Sequence, residues 1–254
     1  MSDQDEFFIG YAPPMPSGVG RFVGRAVTGL VLGVLAWSAV IASGHVTLEG
    51  GTFEFGHPQP FAGTIVERPY PALRLDATDG KSVATLLVAP GKHGADSMFR
   101  GLDGRHASLT GTRIRRGALA MIEIEPASLT LGERSVSDPG AAAEAALDST
   151  DSVTVKGEVV DSKCFLGVMV PGAGKTHKEC ASLCLRGGVP PALFVHDRAA
   201  KSALMLLTGP SGEAIGASVL QVAGEAVEMT GTLQRQNGWL VLRTNPSRWR
   251  TVDR

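Results

Sequence analysis

The residues that could do chemistry gather in one stretch of this chain. All three cysteines, Cys164, Cys180 and Cys184, lie there, with His177 among them. Three thiols and an imidazole are the ligand set of a tetrahedral Cys3His site, and thiolate ligands suit copper(I) and zinc. Thr176 and Glu179 stand three apart and read as a capping box that opens a helix. Gly187-Gly188 and Pro190-Pro191 close it. At about 100° per residue, His177, Cys180 and Cys184 share roughly a 60° arc of one helical face. Cys164 precedes the helix on a strand or turn and can fold back onto that face.

Other chemistries use the same residues. The spacing C-x12-H-x2-C-x3-C matches no standard zinc-finger pattern. Cys164 paired with Cys180 or Cys184 would form a disulfide that staples helix to strand, and leave one odd thiol. That odd thiol could instead serve a thiol oxidoreductase, with Cys180 in the first helical turn as the thiolate favoured by the helix dipole. The three readings stay open, with the metal site preferred. Gly174-Lys175-Thr176 resembles the end of a P-loop, but the glycine that motif requires five positions earlier is Met169, so nucleotide binding is rejected. The chain has no Gly-x-Ser-x-Gly, His-Glu-x-x-His, Cys-x-x-Cys or Cys-x-x-Cys-His motif, which speaks against covalently attached c-type haem and thioredoxin-like chemistry. His45, His57, His93, His106 and His196 are scattered and read as loop or surface residues.

An internal repeat indicates what positions the cysteine stretch. At a shift of 120 residues, Pro71-Ala72-Leu73 falls on Pro191-Ala192-Leu193, Lys81-Ser82 on Lys201-Ser202, Leu86-Leu87 on Leu206-Leu207 and Thr110-Gly111-Thr112 on Thr230-Gly231-Thr232. Upstream the shift drops to 94, where Gly63-Thr-Ile-Val-Glu67 meets Gly157-Glu-Val-Val-Asp161. The difference is an insertion in the second copy, from about Cys164 to Val189, which is the cysteine stretch itself. Each copy predicts five short strands: Phe61–Glu67, Ala72–Asp76, Val83–Val88, His106–Ile114 and Ala118–Glu125, then Val153–Val160, Ala192–His196, Ala203–Leu207, Ala226–Leu233 and Trp239–Thr244. Arg115-Arg116-Gly117 and Gln236-Asn237-Gly238 read as hairpin turns joining the last two strands. With 32 glycines and 6% aromatic residues, the composition fits short strands and many turns. The expected fold is mainly β: an N-terminal transmembrane helix, then two tandem OB-like small β-barrels, the second with an inserted Cys/His helix. Two small β-sandwich units are the alternative.

Phe22 to Gly44 is apolar except for Arg25, and Ala26 to Leu48 carries no full charge at neutral pH. That length spans a bilayer as a helix. Arg21 and Arg25 precede it and no Lys or Arg follows until Arg68, which predicts a cytoplasmic N-terminus and an exported bulk. A cleaved signal peptide is the competing reading; Val40-Ile41-Ala42 is a poor cleavage site. The expected organisation is a cytoplasmic tail 1–20, an anchor 21–45, a first domain 46–130, a linker 131–152, a second domain 153–246 with insertion 162–190, and a basic tail 247–254 carrying Arg248, Trp249, Arg250 and Arg254.

The segment Gly157–Pro191 resembles a motif of uncharacterised bacterial membrane-anchored envelope proteins with an OB-like domain. Gly157, Asp161, Cys164, His177, Cys180, Ala181, Cys184, Gly188 and Pro190 meet its pattern, Gly-x-Val-Val-Asp-x-x-Cys, then His-x-x-Cys-Ala-x-x-Cys and Gly-x-Pro. The resemblance implies an inner-membrane, periplasm-facing location and a shared Cys/His site, and no activity. The chain then reads as an accessory or binding protein, more binder than enzyme. It would hold copper or zinc at Cys164, His177, Cys180 and Cys184, and serve a partner envelope or inner-membrane protein such as a respiratory complex, with lipid contact through the anchor. The alternative is a disulfide-stapled interaction protein without metal. Nucleic acid is discounted as a partner: the net charge is −1 and aromatics are few.

Overall fold

The computed structural model describes residues 16–44, 50–76, 84–134, 152–196 and 202–253. His45, the Lys81-Ser82 and Lys201 repeat positions, Arg254 and most of the expected linker, 135–151, lie outside these residues. Two compact units emerge, Met1–Thr47 and Leu48–Arg254. The first contributes helix α1 (Ser17–Gly44), whose stretch Ser17–Ser43 is long and apolar enough to cross a membrane. A signal sequence has the same length and composition, so the helix is an anchor or a signal by these criteria.

The second unit is β-rich. Its first half contains β1 (Thr52–Phe53), β2 (Gln59–Val66), β3 (Ala72–Leu75), β4 (Thr85–Ala89), β5 (His93–Gly94), a short helix α2 (Asp96–Phe99), β6 (Arg105–Arg116), β7 (Leu119–Ile124) and β8 (Thr130–Arg134). Its second half contains β9 (Ser152–Asp161), helix α3 (Lys178–Arg186), β10 (Pro191–His196), β11 (Ser202–Thr208), β12 (Ala226–Gln236), β13 (Trp239–Thr244) and β14 (Arg250–Thr251). Two five-stranded barrels close, one through β2-β3-β4-β7-β6 and back to β2, the other through β9-β10-β11-β13-β12 and back to β9. In each, one pair is parallel, β4 with β7 and β11 with β13.

The pairing registers of the two barrels are equivalent residue by residue. Leu86 faces Met121 as Leu206 faces Val241, and Ala72 faces Leu86 as Ala192 faces Leu206. Gly63 pairs with Ala107 as Gly157 pairs with Val227, which carries the shift of 94 on the first strand and 120 on its partner. A one-residue slip would turn every core side chain outward, so shared register is a stringent likeness.

Several elements differ from the sequence reading. The short strands β1, β5, β8 and β14 were not expected; each adds to a barrel strand through backbone pairing that two to five residues cannot signal by periodicity. The sequence suggests a basic tail at 247–254. Within it Arg250–Thr251 pairs with β12, and Trp249 Nε1 donates to Thr244 Oγ1 at 3.0 Å, so this end is tied to the barrel. The first half also has helical residues between its third and fourth strands, Asp96–Phe99, where the second has the 3-10 turn Ala217–Val222. Helix α3, between the first and second strands, has no counterpart among the described residues of the first barrel.

Each barrel has its own apolar interior. Phe61, Ile65, Leu73, Leu87 and Ile122 fill the first; Val159, Leu193, Met205, Leu207 and Leu242 fill the second, with Leu185 of α3 packed on it. A third cluster joins the two. Leu86, Val88, Ile114 and Met121 pack with Ala192, Phe194, Leu204, Leu206, Trp239 and Val241. Strands β4 and β11 are therefore buried on both faces, Leu87 and Leu207 inward, Leu86 and Leu206 toward the other barrel. Two polar groups at the seam are matched: Trp239 Nε1 donates to Ala84 O at 2.7 Å and Tyr70 Oη to Leu207 O at 2.6 Å. Burial holds the Tyr70 hydroxyl well above the ordinary tyrosine range, so it stays a donor.

Candidate metal centre

Strand β9 ends at Asp161, whose carboxylate is fully buried and satisfied twice. Its Oδ1 accepts from Cys164 N at 2.8 Å, and its Oδ2 lies 3.0 Å from His177 Nε2. The first bond is of the N-cap kind, an Asp side chain accepting from the backbone N–H three residues on where a helical turn begins. It starts the five-residue π-helical turn Cys164–Val168 and aims Cys164 back under helix α3. Where Asp161 Oδ2 accepts this hydrogen bond, His177 Nε2–H is the donor and Nδ1 is left as the ring's acceptor.

The expected capping box at Thr176 and Glu179 does not form. Thr176 sits inside a 3-10 turn, Lys175–His177, and α3 begins at Lys178 with His177 at the N-cap position and no side-chain cap bond. The Asp161 bond fixes His177 instead. The C-terminal end is as expected: Gly187 caps α3, and Gly188 turns the chain at φ +91. Cys180 and Cys184, one turn apart on α3, face Cys164. Cys164 Sγ stands 3.9 Å from Cys180 Sγ and 3.9 Å from Cys184 Sγ, and the three sulfurs all lie within 4.8 Å of one another. Cys164 and Cys184 are buried and Cys180 is half-buried.

All three thiols are free, and 3.9 Å is far beyond the S–S bond of about 2.05 Å. It does match metal-bound thiolates. With metal–sulfur bonds of about 2.3 Å, sulfurs stand about 3.8 Å apart around a tetrahedral ion and about 4.0 Å apart around a trigonal one. The three side chains thus fit a metal ion with little rearrangement. His177 does not join that group. It clusters with Asp161 and Cys164, all within 4.8 Å, so Cys164 is common to two neighbouring sets. A metal-bound histidine typically gives its other ring N–H to a carboxylate, and the Asp161 contact has that form.

Two lysines complete the site. Lys92 lies after β4 in the first barrel, yet its Nζ is 2.8 Å from Cys180 Sγ and 4.0 Å from Cys184 Sγ. Its ammonium is held above the ordinary lysine range, chiefly by the hydrogen bond to Cys180. Lys163, beside Cys164, is almost wholly buried; its Nζ donates to Ala89 O at 2.9 Å and Gly91 O at 2.5 Å and pairs with Glu123. The thiols themselves are polarised. Cys164 is pushed above the usual thiol range by its contact with Cys184, by burial and by Asp161. Cys184 is pulled down, first by the hydrogen bond from Cys164, with Lys92 assisting against burial. The opposed shifts make Cys164 the donor and Cys184 the acceptor of their contact.

Sequence reasoning singled out the cysteines and His177 and missed both lysines. Asp161 entered the sequence reading only as a position of the resemblance motif, and its bonds to Cys164 and His177 were not foreseen. Nothing local could have shown Lys92, which is brought to the thiols only by the packing of the two barrels. Compared with protein-family models, with curated proteins and with solved structures, the chain finds no match.

Proposed function

We propose that this chain is a membrane-anchored, exported binding protein whose three thiols hold one soft metal ion, copper(I) or zinc, in the service of a partner redox or respiratory enzyme of a bacterial envelope. The observation that carries the reading is the sulfur triangle: two separations of 3.9 Å, the spacing a thiolate-bound ion imposes. Cys164 and Cys184 supply buried ligands, and half-buried Cys180 is the ligand nearest solvent, through which an ion enters or leaves. Asp161 orients Cys164 through its backbone and His177 through its ring, so both sit on fixed supports. A bound copper ion would supply a one-electron couple, a zinc ion a redox-inert structural centre.

The five-stranded barrels with one parallel closing pair suit OB-like domains, and their repeated register supports a tandem duplication. Helix α1, with Arg21 and Arg25 ahead of its apolar run, supports an N-in anchor and an exported β region. The envelope motif over Gly157–Pro191 accords with that location. Single Cys164→Ser, Cys180→Ser and Cys184→Ser variants test the site. Each should lose the copurifying metal while the barrels stay folded by circular dichroism. Retention of metal by any two of the three would refute the trithiolate.

Three observations favour a second reading, thiol exchange at Cys180. It is the most exposed of the three thiols, it lies in the first turn of α3, and Lys92 Nζ stands at 2.8 Å. In that case Cys180 should be alkylated far faster than the other two.

A further inference from the structure

Lys92 reaches the thiols from the first barrel and is held there by the second. Lys163 donates to Ala89 O and Gly91 O, so it grips the chain just before Lys92. Gly94 N donates to Gly187 O at 2.9 Å, docking the same hairpin on the end of α3. The approach is close enough that a Cβ on Gly187 would stand 1.8 Å from Lys92 O, and one on Gly94 would stand 2.0 Å from Gly188 O. Only glycine fits at these two contacts. The hairpin thus arrives at a set position, and with it one positive charge.

Resting on the three-thiol reading above, we infer that Lys92 is the specificity-determining residue of the centre: a fixed cation, supplied across the barrel interface, that makes the site favour a monovalent soft ion of the copper(I) class over a divalent ion of the zinc class. An ion bonded to Cys180 Sγ at about 2.3 Å lies at most about 5 Å from Lys92 Nζ. The ammonium repels that ion in proportion to its charge, so it opposes a divalent ion twice as strongly as a monovalent one. The same ammonium offsets part of the surplus negative charge that three thiolates leave around copper(I). Coordination number points the same way. Copper(I) is satisfied by three thiolates, whereas zinc seeks a fourth ligand. Lys92 as an ammonium has donors and no lone pair to give. His177 belongs to a separate set with Asp161 and Cys164, outside the sulfur group.

The test uses the full chain in detergent, as wild type, Lys92→Met and Lys92→Arg, kept anaerobic and reduced. Copper(I) and zinc(II) are titrated separately against chelators of known affinity. The wild type should prefer copper(I). Lys92→Met should raise zinc affinity about tenfold more than it changes copper(I) affinity, a figure discounted for the solvent near Lys92. Lys92→Arg keeps the charge and should keep the wild-type ratio. A ratio unchanged in Lys92→Met, with both ions still bound, overturns this inference and leaves the three-thiol centre standing. Failure of the wild type to bind either ion overturns the centre and the inference together.

Discussion

Lys163→Met is the sharpest probe of how the two barrels hold the site. The side chain is about 2% exposed, and its ammonium serves the Ala89 and Gly91 carbonyls and the Glu123 carboxylate. Methionine matches the stem and removes the charge. Breaking a buried pair from one side typically costs about 3–5 kcal/mol, because the partner is left charged and uncompensated. Glu123 keeps about 20% of its side chain exposed and can partly rehydrate, so the lower end, about 3 kcal/mol, is expected. Urea denaturation of the purified full chain, followed by the fluorescence of buried Trp239, reads this directly. Lys163→Met with Glu123→Gln should recover a good part of the loss, since no ionised carboxylate is then stranded. The same single variant should loosen the hairpin before Lys92 and speed alkylation of Cys180. A cost under about 1 kcal/mol, or a double variant as unstable as the two losses added, would refute the reasoning.

Gly187→Ala should destabilise the chain by about 1–3 kcal/mol, because its Cβ would stand 1.8 Å from Lys92 O and must push the hairpin off α3; thermal unfolding measures it. Asp96→Asn should stabilise the chain at neutral pH. Partial desolvation of its carboxyl raises the pKa of Asp96 although the residue itself is exposed, so folding slightly favours the protonated acid; that small stability is full below the ordinary carboxylate range and is lost as pH rises through the folded value. The gain from Asn should therefore vanish in denaturation series taken well below pH 4, and a gain that persists there would contradict the sign. Alkaline phosphatase fused after Arg254 should be active, as the N-in orientation requires; an inactive fusion beside an active cytoplasmic reporter would reverse it.

Much of this architecture was legible because the repeat constrains it twice. Gly63 and Gly157 sit where a Cβ would strike the neighbouring strand, at 2.2 Å from Arg74 O and 2.6 Å from Phe194 O, so the same glycine recurs in both copies for one steric reason. Apolar runs such as Leu86-Leu87 and Leu206-Leu207 marked strands correctly. They did not reveal that one residue of each pair faces the other barrel, because periodicity shows burial and not what buries. The site divides in the same way. Cys164, Cys180 and Cys184 were found together from their types and from helical spacing. His177 was placed on the helix face by a capping box that the structure replaces with the Asp161 contact. Lys92 and Lys163 were invisible, since the hydrogen bonds that place them reach 72 to 92 residues away in the chain.

The central claim is that the three sulfurs share one ion. Its most direct measurement is metal content beside thiol count on the full chain, purified without chelator or added reductant. The account predicts one equivalent of copper or zinc per chain, no disulfide, and three thiols that resist alkylation until a chelator removes the ion and then react together. One disulfide, one reactive thiol and no bound metal would contradict it.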